Sequence, residues 1–133
     1  MSKYQIGQKA SLEKVFTDED VRIFAKISLD ANPVHLNDEY AQNTIFKGRI
    51  VHGFLSGSLI SAIIGTILPG EGTIYLNQTM NFRKPVRIGE KIKATVEIVG
   101  IKEEKNILTL NTYCENEKGE LVIEGSAVVK VLL

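Results

Sequence analysis

The sequence predicts an α+β fold in which an antiparallel sheet wraps around one long apolar helix. From residue 73 onward, apolar and polar side chains alternate with a period of two, and short turns separate the runs. This pattern is typical of antiparallel strands with one packed face. Residues 53–68 are apolar around most of a helical circumference, which indicates a buried helix. That helix is the obvious element to cover the sheet.

Composition limits both the size of the fold and the class of partner. The 133 residues fit a single domain, 1–133, and 16 basic residues balance 16 acidic ones. A neutral chain gives no argument for binding nucleic acid or an anionic membrane. Cys114 is the only cysteine, so no internal disulfide is possible. The first ten residues lack the apolar core of a signal peptide, and we expect a cytoplasmic protein.

The first half of the chain predicts one strand and short helices. Residues 8–15 have the pattern of a first strand. Thr17 followed by three acids predicts a helix start, because a hydroxyl caps the first turn and acids favour its positive end. Pro33 predicts that this helix ends near Asp30, since the residue before proline avoids the α conformation. Residues 38–43 predict one further short turn of helix.

The second half predicts the buried helix and then the strands. Residues 50–68 approach the length of a membrane span, but glycine, serine, threonine and histidine interrupt them. We therefore interpret 53–68 as a core helix, ended by a Pro-Gly pair. The period-two segments are residues 73–82, 91–98, 107–114 and 121–132.

One acid and one of the two histidines lie close together in residues 28–40, SLDANPVHLNDEY. The turn between Asp30 and His35 can bring both side chains to one shared water, which would give an acid–base pair that works near neutral pH. The same residues also fit an aspartate that satisfies local backbone groups, followed by a surface histidine. Spacing by itself leaves both interpretations open.

The stretch I-V-H-G-F offers a second set of candidates. Gly53 lies in the first turn of the buried helix, where backbone N–H groups have no internal partner. A free N–H there can donate to a carbonyl oxygen, and the missing side chain lets a substrate approach. Close packing of the helix on a strand explains the glycine equally well. His52 competes with His35 for the catalytic role, although a capping or packed histidine is the favoured interpretation.

Other polar residues give weaker signals. Ser58 and Ser61 lack the G-x-S-x-G frame of a nucleophile. A supporting role, as a hydrogen-bond partner of a buried acid, is therefore preferred over a nucleophilic role. The common alternative is a serine that bonds the backbone carbonyl one turn earlier. Residues 83–87, RKPVR, either meet ligand phosphates or form a solvated loop. Two histidines and one cysteine at these spacings do not form a zinc site, and no nucleotide-binding fingerprint is present.

Three segments taken together resemble one family: D-A-N-P-V-H, I-V-H-G-F-L-S and N-F-R-K-P-V-R-I-G-E. Their order and spacing are similar to those of the MaoC-like (R)-specific enoyl-CoA hydratases, over about residues 5–131. The resemblance implies a hot-dog fold, an antiparallel sheet wrapped around a long central α-helix, and a homodimer. It implies Asp30 and His35 as the catalytic pair and a Gly53 N–H that polarises the thioester carbonyl. The residues that it implies in support are Asn32 and Ser61.

The resemblance also implies an activity. That activity is the reversible hydration of a trans-2-enoyl-CoA to an (R)-3-hydroxyacyl-CoA, with short acyl chains expected and dehydration as the reverse direction. The CoA thioester is the substrate, and no metal or redox cofactor is expected because the thioester already activates the alkene. Two alternatives stay open: a hot-dog acyl-CoA thioesterase, and a non-catalytic module that binds acyl thioesters. The sequence does not separate CoA from acyl-carrier-protein substrates.

Overall fold

A computed structural model describes residues 3–132, so residues 1, 2 and 133 of the predicted domain lie outside the described part. Helices and strands follow the predicted order, with one additional helix. The elements are β1 (Lys9–Val15), α1 (Asp18–Ser28), α2 (Pro33–Leu36), α3 (Asp38–Gln42), α4 (Gly53–Thr66), β2 (Ile74–Gln78), β3 (Asn81–Phe82), β4 (Lys91–Lys102), β5 (Ile107–Glu115) and β6 (Leu121–Lys130). A short 3₁₀ turn, Glu103–Lys105, joins β4 to β5.

The strands form one antiparallel sheet around α4. The strand order is β1-β4-β5-β6-β2, and β3 also pairs with β6. Helix α4 lies against β4, β1 and β5. The helix and the inner face of the sheet bury a common core, whose largest members are Phe16, Ile60, Ile63, Ile64, Ile92, Ile98, Leu108, Leu110 and Ile123. The predicted α+β hot-dog arrangement is confirmed.

Helix α1 begins as predicted and ends slightly early. Thr17 Oγ1 accepts from the Asp20 N–H at 3.1 Å, and the Asp20 carboxylate accepts from the Thr17 N–H at 3.0 Å. This reciprocal pair is a capping box. The helix ends at Ser28 because Leu29 takes a left-handed conformation, φ 68° and ψ 10°. A side chain in that region costs about 1–2 kcal/mol, so the chain leaves α1 through a strained residue.

Helix α4 begins at the predicted Gly53 but is buried on one face only. Leu59, Ile60 and Ile63 are buried, whereas Phe54 is 68% exposed and Ile67 is 46% exposed. The expectation of burial all round is therefore wrong for a single chain. The physical reason is that one sheet covers one side of a helix, and the apolar residues opposite need a second surface.

The predicted strand 73–82 is interrupted. Residues 79 and 80 separate β2 from β3, and the register shifts within β2. Thr79 Oγ1 accepts from the Ser126 N–H at 3.0 Å, and the Thr79 carbonyl oxygen lies only 1.9 Å from where a Cβ on Gly125 would be. The glycine thus permits a close backbone approach that alternation of polarity does not reveal. Among residues 3–132, no helix is both long and apolar enough to span a membrane.

Candidate active site

One cavity of about 450 Å³ opens between the start of α4 and the segment that follows β3. Its walls are mostly apolar, with a few polar groups among them, as in typical small-molecule sites. The lining residues are Asp30, His35, Phe46, Ile50, Val51, Gly53, Phe54, Ser56, Phe82, Arg83, Lys84, Pro85, Val86 and Ile123. The structure therefore brings Asp30, His35 and Gly53 to one cavity.

Asp30 lies in the exposed segment 29–32 between α1 and α2. Its backbone N–H donates to Ser28 Oγ at 3.1 Å, and its Oδ1 accepts from the Asn32 N–H at 3.3 Å. The second carboxylate oxygen has no hydrogen bond to any residue within 3–132. An exposed acid with one oxygen uncommitted can accept a proton or hold a water.

His35 is placed by a one-turn helix that sequence analysis did not predict. Asn32 Oδ1 accepts from the Val34 N–H at 3.1 Å, and Pro33 occupies the first helical position. These are the N-cap and N1 preferences of any helix, so the Asn-Pro pair begins α2 rather than only turning the chain. Asn32 therefore orients His35 through the backbone.

The His35 ring has a defined tautomer. Its Nδ1 lies 2.8 Å from the Ile50 carbonyl oxygen, which only accepts, so Nδ1–H donates and Nε2 is free for the cavity. Burial lowers the pKa of His35 below its ordinary 6.5; the Ile50 carbonyl opposes that effect, nearby His52 adds to it, and Asp30 opposes it. The neutral ring, with an accepting Nε2, is the form that this environment favours.

Asp30 and His35 are close enough to share a water. One ligand atom from each of Asp30, His35 and His52 lies within 4.8 Å of the others. A water needs about 2.8 Å to each neighbour, so it fits between the Asp30 carboxylate and the His35 imidazole. The arrangement supports transfer of a proton through one bound water.

In the described part of the chain, Gly53 has a backbone N–H without a partner and a close neighbour in Phe82, while its role as a donor to a substrate stays a prediction. Within residues 3–132, its N–H donates to no other group, as the first position of α4 dictates. A Cβ on Gly53 would lie 2.6 Å from Phe82 Cε1. A bare backbone here therefore provides the free donor and lets the Phe82 ring pack over it.

His52 is buried and fully packed, with 1% of its surface exposed. It precedes α4 but makes no side-chain capping bond. Instead, its Nε2 lies 3.0 Å from the Asp30 carbonyl oxygen, and its ring stacks on His35 with centroids 3.9 Å apart. The preferred interpretation of His52 as a packed histidine is confirmed, and the capping alternative is wrong.

The serines of α4 lie in different surroundings, and the supporting role of Ser61 stays a prediction. Ser61 lies two helical turns beyond Gly53, is exposed, and does not line the cavity of this chain. Ser58 Oγ donates to the Leu55 carbonyl, the local bond named as the alternative. Ser56 is the serine that lines the cavity, and its Oγ donates to the Gly53 carbonyl at 3.1 Å. Its spacing of three from Gly53, one helical face, is the signal that could have found it.

The basic segment 83–87 contributes Arg83 and Lys84 to the cavity lining, and both charges are paired. Arg83 contacts Glu124 at 2.7 Å and Lys84 contacts Glu120 at 2.8 Å, both on the surface. Such exposed pairs contribute about 0–1 kcal/mol and exchange readily. The segment remains a prediction for phosphate contact.

The fold and the site together define a hot-dog enzyme with an acid, a histidine and a helix N-terminus at one cavity. Residues 3–118 match the family described as the MaoC like domain. The chain belongs to this family.

Two relatives and one solved structure are similar over nearly the whole chain. An (R)-specific enoyl-CoA hydratase of Rhodospirillum rubrum is 50% identical over 94% of this chain and 86% of its own. One of Aeromonas caviae is 44% identical over 96% of this chain and 95% of its own. The solved structure of the (R)-hydratase from A. caviae involved in PHA biosynthesis superposes with a TM-score of 0.96 at 42% identity, covering 99% of this chain and 100% of that one.

Proposed function

We propose that this protein is a single-domain (R)-specific enoyl-CoA hydratase, a hydro-lyase that reversibly adds water to a trans-2-enoyl-CoA to give an (R)-3-hydroxyacyl-CoA. One observation carries the proposal: a carboxylate, an imidazole nitrogen and an unpaired backbone N–H meet at one apolar cavity. Relatives that are 44–50% identical over nearly the full chain carry this name.

Asp30 and His35 are proposed as the catalytic pair. The water that they hold attacks the β-carbon, and Asp30 accepts its proton. The free His35 Nε2 accepts a hydrogen bond from the water and orients it. The proton that Asp30 has taken up then passes, with the help of His35, to the α-carbon, so that one hydroxyl and one hydrogen are added in total and Asp30 is again a carboxylate. Asn32 supports the pair by starting α2, which carries His35.

The Gly53 N–H is proposed to stabilise the charge that develops on the thioester oxygen. It points from the positive end of α4 and is free to bond a substrate oxygen. A donor of this kind contributes about 3–4 kcal/mol to the transition state in other enzymes. The apolar walls behind it, among them Phe82 and Ile123, then receive the acyl chain.

The proposed reaction needs no metal or redox cofactor, because the thioester activates the alkene and no electrons are transferred. The histidine geometry supports a metal-free site. Imidazole lone pairs lie in the ring plane, and the His35 and His52 rings stack at an angle of only 27°. His52 also directs Nε2 at the Asp30 carbonyl oxygen and does not line the cavity, so it is not placed as a further ligand to an ion bound there.

We propose a homodimer that forms through β2 and the exposed face of α4. Strand β2 is at the edge of the sheet, and Ile74 and Leu76 on it are 42% and 51% exposed. Such an edge invites a second strand. Ser61 and Phe54 share the uncovered face of α4, so the proposed support by Ser61 acts across this interface.

Light scattering tests the dimer. We expect a molar mass of twice the 14.7 kDa of one chain for wild type, and the mass of a single chain for Leu76→Lys. A wild-type mass of one chain at micromolar concentration contradicts the dimer.

We further propose a cytoplasmic location, without nucleic-acid or membrane partners. The single free Cys114 supports the location, and cell fractionation tests it.

Loss of the enoyl-thioester absorbance of crotonyl-CoA tests the function. Chiral analysis of the product should show the (R) alcohol, and acyl chains of four to twelve carbons should reveal a preference for short ones. Saturated butyryl-CoA with a thiol reagent is the matched control for a thioesterase. Cys114 does not interfere, because burial raises the pKa of its thiol to about 12. Release of CoA without hydration contradicts the proposal, as does binding without turnover.

A further inference from the structure

We propose that His52 is a positioning residue that fixes Asp30 through a hydrogen bond to the Asp30 main-chain carbonyl. The inference rests on the proposed hydratase function and adds a residue to its site. His52 does not line the cavity, so it acts through Asp30 and not on the substrate.

The segment that carries Asp30 has little else to hold it. Residues 29–32 are all exposed, and Leu29 is left-handed. Within residues 3–132, the other hydrogen bonds of this segment reach only from Ser28 to His35. The bond from His52, 22 positions along the chain from Asp30, is the one long-range tie.

His35, in contrast, is anchored several times. Its Nδ1–H donates to the Ile50 carbonyl at 2.8 Å, and its own carbonyl accepts from Arg49 Nε at 2.7 Å. The Ile50 N–H also donates to the Val34 carbonyl at 3.3 Å. His35 therefore keeps its place without His52, whereas Asp30 has no second tie to the body of the fold.

The His52 ring is fixed in the orientation that this role requires. It lies between Phe24 of α1, edge-on with centroids 4.9 Å apart, and His35, stacked at 3.9 Å. Because a carbonyl only accepts, the proton is on Nε2. Nδ1 is buried and has no hydrogen-bond partner within residues 3–132. One nitrogen is thus committed to Asp30, and the other is shielded by packing.

Two kinds of variant separate the donor from the ring. His52→Phe keeps a ring against His35 and removes the donor, while His52→Gln places an amide N–H near the position of Nε2. We expect His52→Phe to lower kcat for crotonyl-CoA roughly 10- to 100-fold with little change in KM, because displacing a catalytic group by about 1 Å costs about 10²-fold. His52→Gln should recover most of that loss. If His52→Phe does not fold, His52→Met supplies a flexible donor-free replacement.

The kinetic result can contradict the role. A folded donor-free variant with kcat within about twofold of wild type overturns the proposal, as does a folded His52→Gln variant no better than His52→Phe. Ile27→Ala is the control, since it changes a side chain of α1 that is 74% exposed and outside the cavity lining; its kcat should stay near wild type.

Nuclear magnetic resonance provides a test that does not depend on activity. Long-range ¹H–¹⁵N spectra should show His52 as the Nε2–H tautomer and His35 as the Nδ1–H tautomer. The Asp30 carbonyl ¹³C resonance should shift in His52→Phe and return in His52→Gln. An Nδ1–H tautomer for His52, or an unchanged Asp30 resonance, overturns the positioning role. Absence of wild-type hydration contradicts the proposed function instead, so the two failures are distinguishable.

Discussion

The two sides of the proposed catalytic site are held in different ways. Gly53 begins α4, whose inner face packs on the sheet through residues such as Ile60 and Ile63 with almost no exposed surface. Asp30 lies on an exposed segment that depends on a few hydrogen bonds and one packed histidine. The proposed carbonyl donor therefore belongs to the rigid core, whereas the proposed acid lies on a weakly held surface segment and can be changed without unfolding the chain.

The largest expected effect is on turnover and is caused by the exposed side of the site. Asp30→Asn and His35→Ala should each lower kcat for crotonyl-CoA by roughly 10²–10⁴-fold, because each removes a group proposed to move a proton. The melting temperature of Asp30→Asn should stay near wild type, since Asp30 is exposed. Near wild-type hydration by both variants would show that the pair is wrongly assigned.

Substitutions in the core beneath α4 should change the free energy of unfolding rather than turnover. Ile63→Ala removes a side chain with no exposed surface and should lower the free energy of unfolding by about 2–5 kcal/mol. The matched control, Ile23→Ala, changes an isoleucine that is 52% exposed and should stay within about 0.5 kcal/mol of wild type. Chemical denaturation measures both, and equal losses at the two positions would contradict the core described above.

A substitution at Gly53 links the two sides. The Cβ of Gly53→Ala would press on the Phe82 ring, 2.6 Å away, and push the ring into the cavity. We expect a drop in kcat/KM of roughly 10- to 100-fold from the distorted site.

Two further variants serve as controls for this prediction. Ile23→Ala, on α1 and outside the cavity lining, should leave activity unchanged. Gly53→Ala combined with Phe82→Ala should regain the activity of the single variant Phe82→Ala if the clash with the Phe82 ring is the cause. No recovery would place the effect at the N–H itself.

The smallest expected effect is a pH dependence of stability that comes from His35. Burial holds the pKa of His35 below its ordinary 6.5. As pH falls below 6.5, the unfolded chain therefore takes up a proton that the folded chain resists. The stability contribution is fully present above pH 6.5 and decreases as pH falls toward the lowered pKa. The unfolding free energy is measured at about pH 7.5 and about pH 5.5, and we expect its decrease to be smaller for His35→Gln than for wild type. An equal decrease in the two proteins contradicts the lowered pKa of His35.

Local signals in the sequence predicted most helices and strands, and the structure shows the physical causes on which those predictions were based. Thr17 caps α1 because a hydroxyl satisfies a free N–H, and the period-two runs became β4, β5 and β6 because one face of each is buried. The Asn32-Pro33 pair carried the N-cap and N1 signals of α2, which were interpreted only as a turn. Resemblance, more than spacing, singled out Asp30 and His35.

The fold class, the start of α4 and the segment that contains the acid and the histidine were predictable from the sequence. These features depend on periodicity, capping and spacing, which act between residues near one another in the chain. The hydrogen bond from His52 to Asp30, the His35 tautomer set by the Ile50 carbonyl and the place of Ser56 at the cavity are visible only in the folded chain. Those contacts join distant positions, and no local pattern encodes them because they depend on how the packed core aligns separate segments.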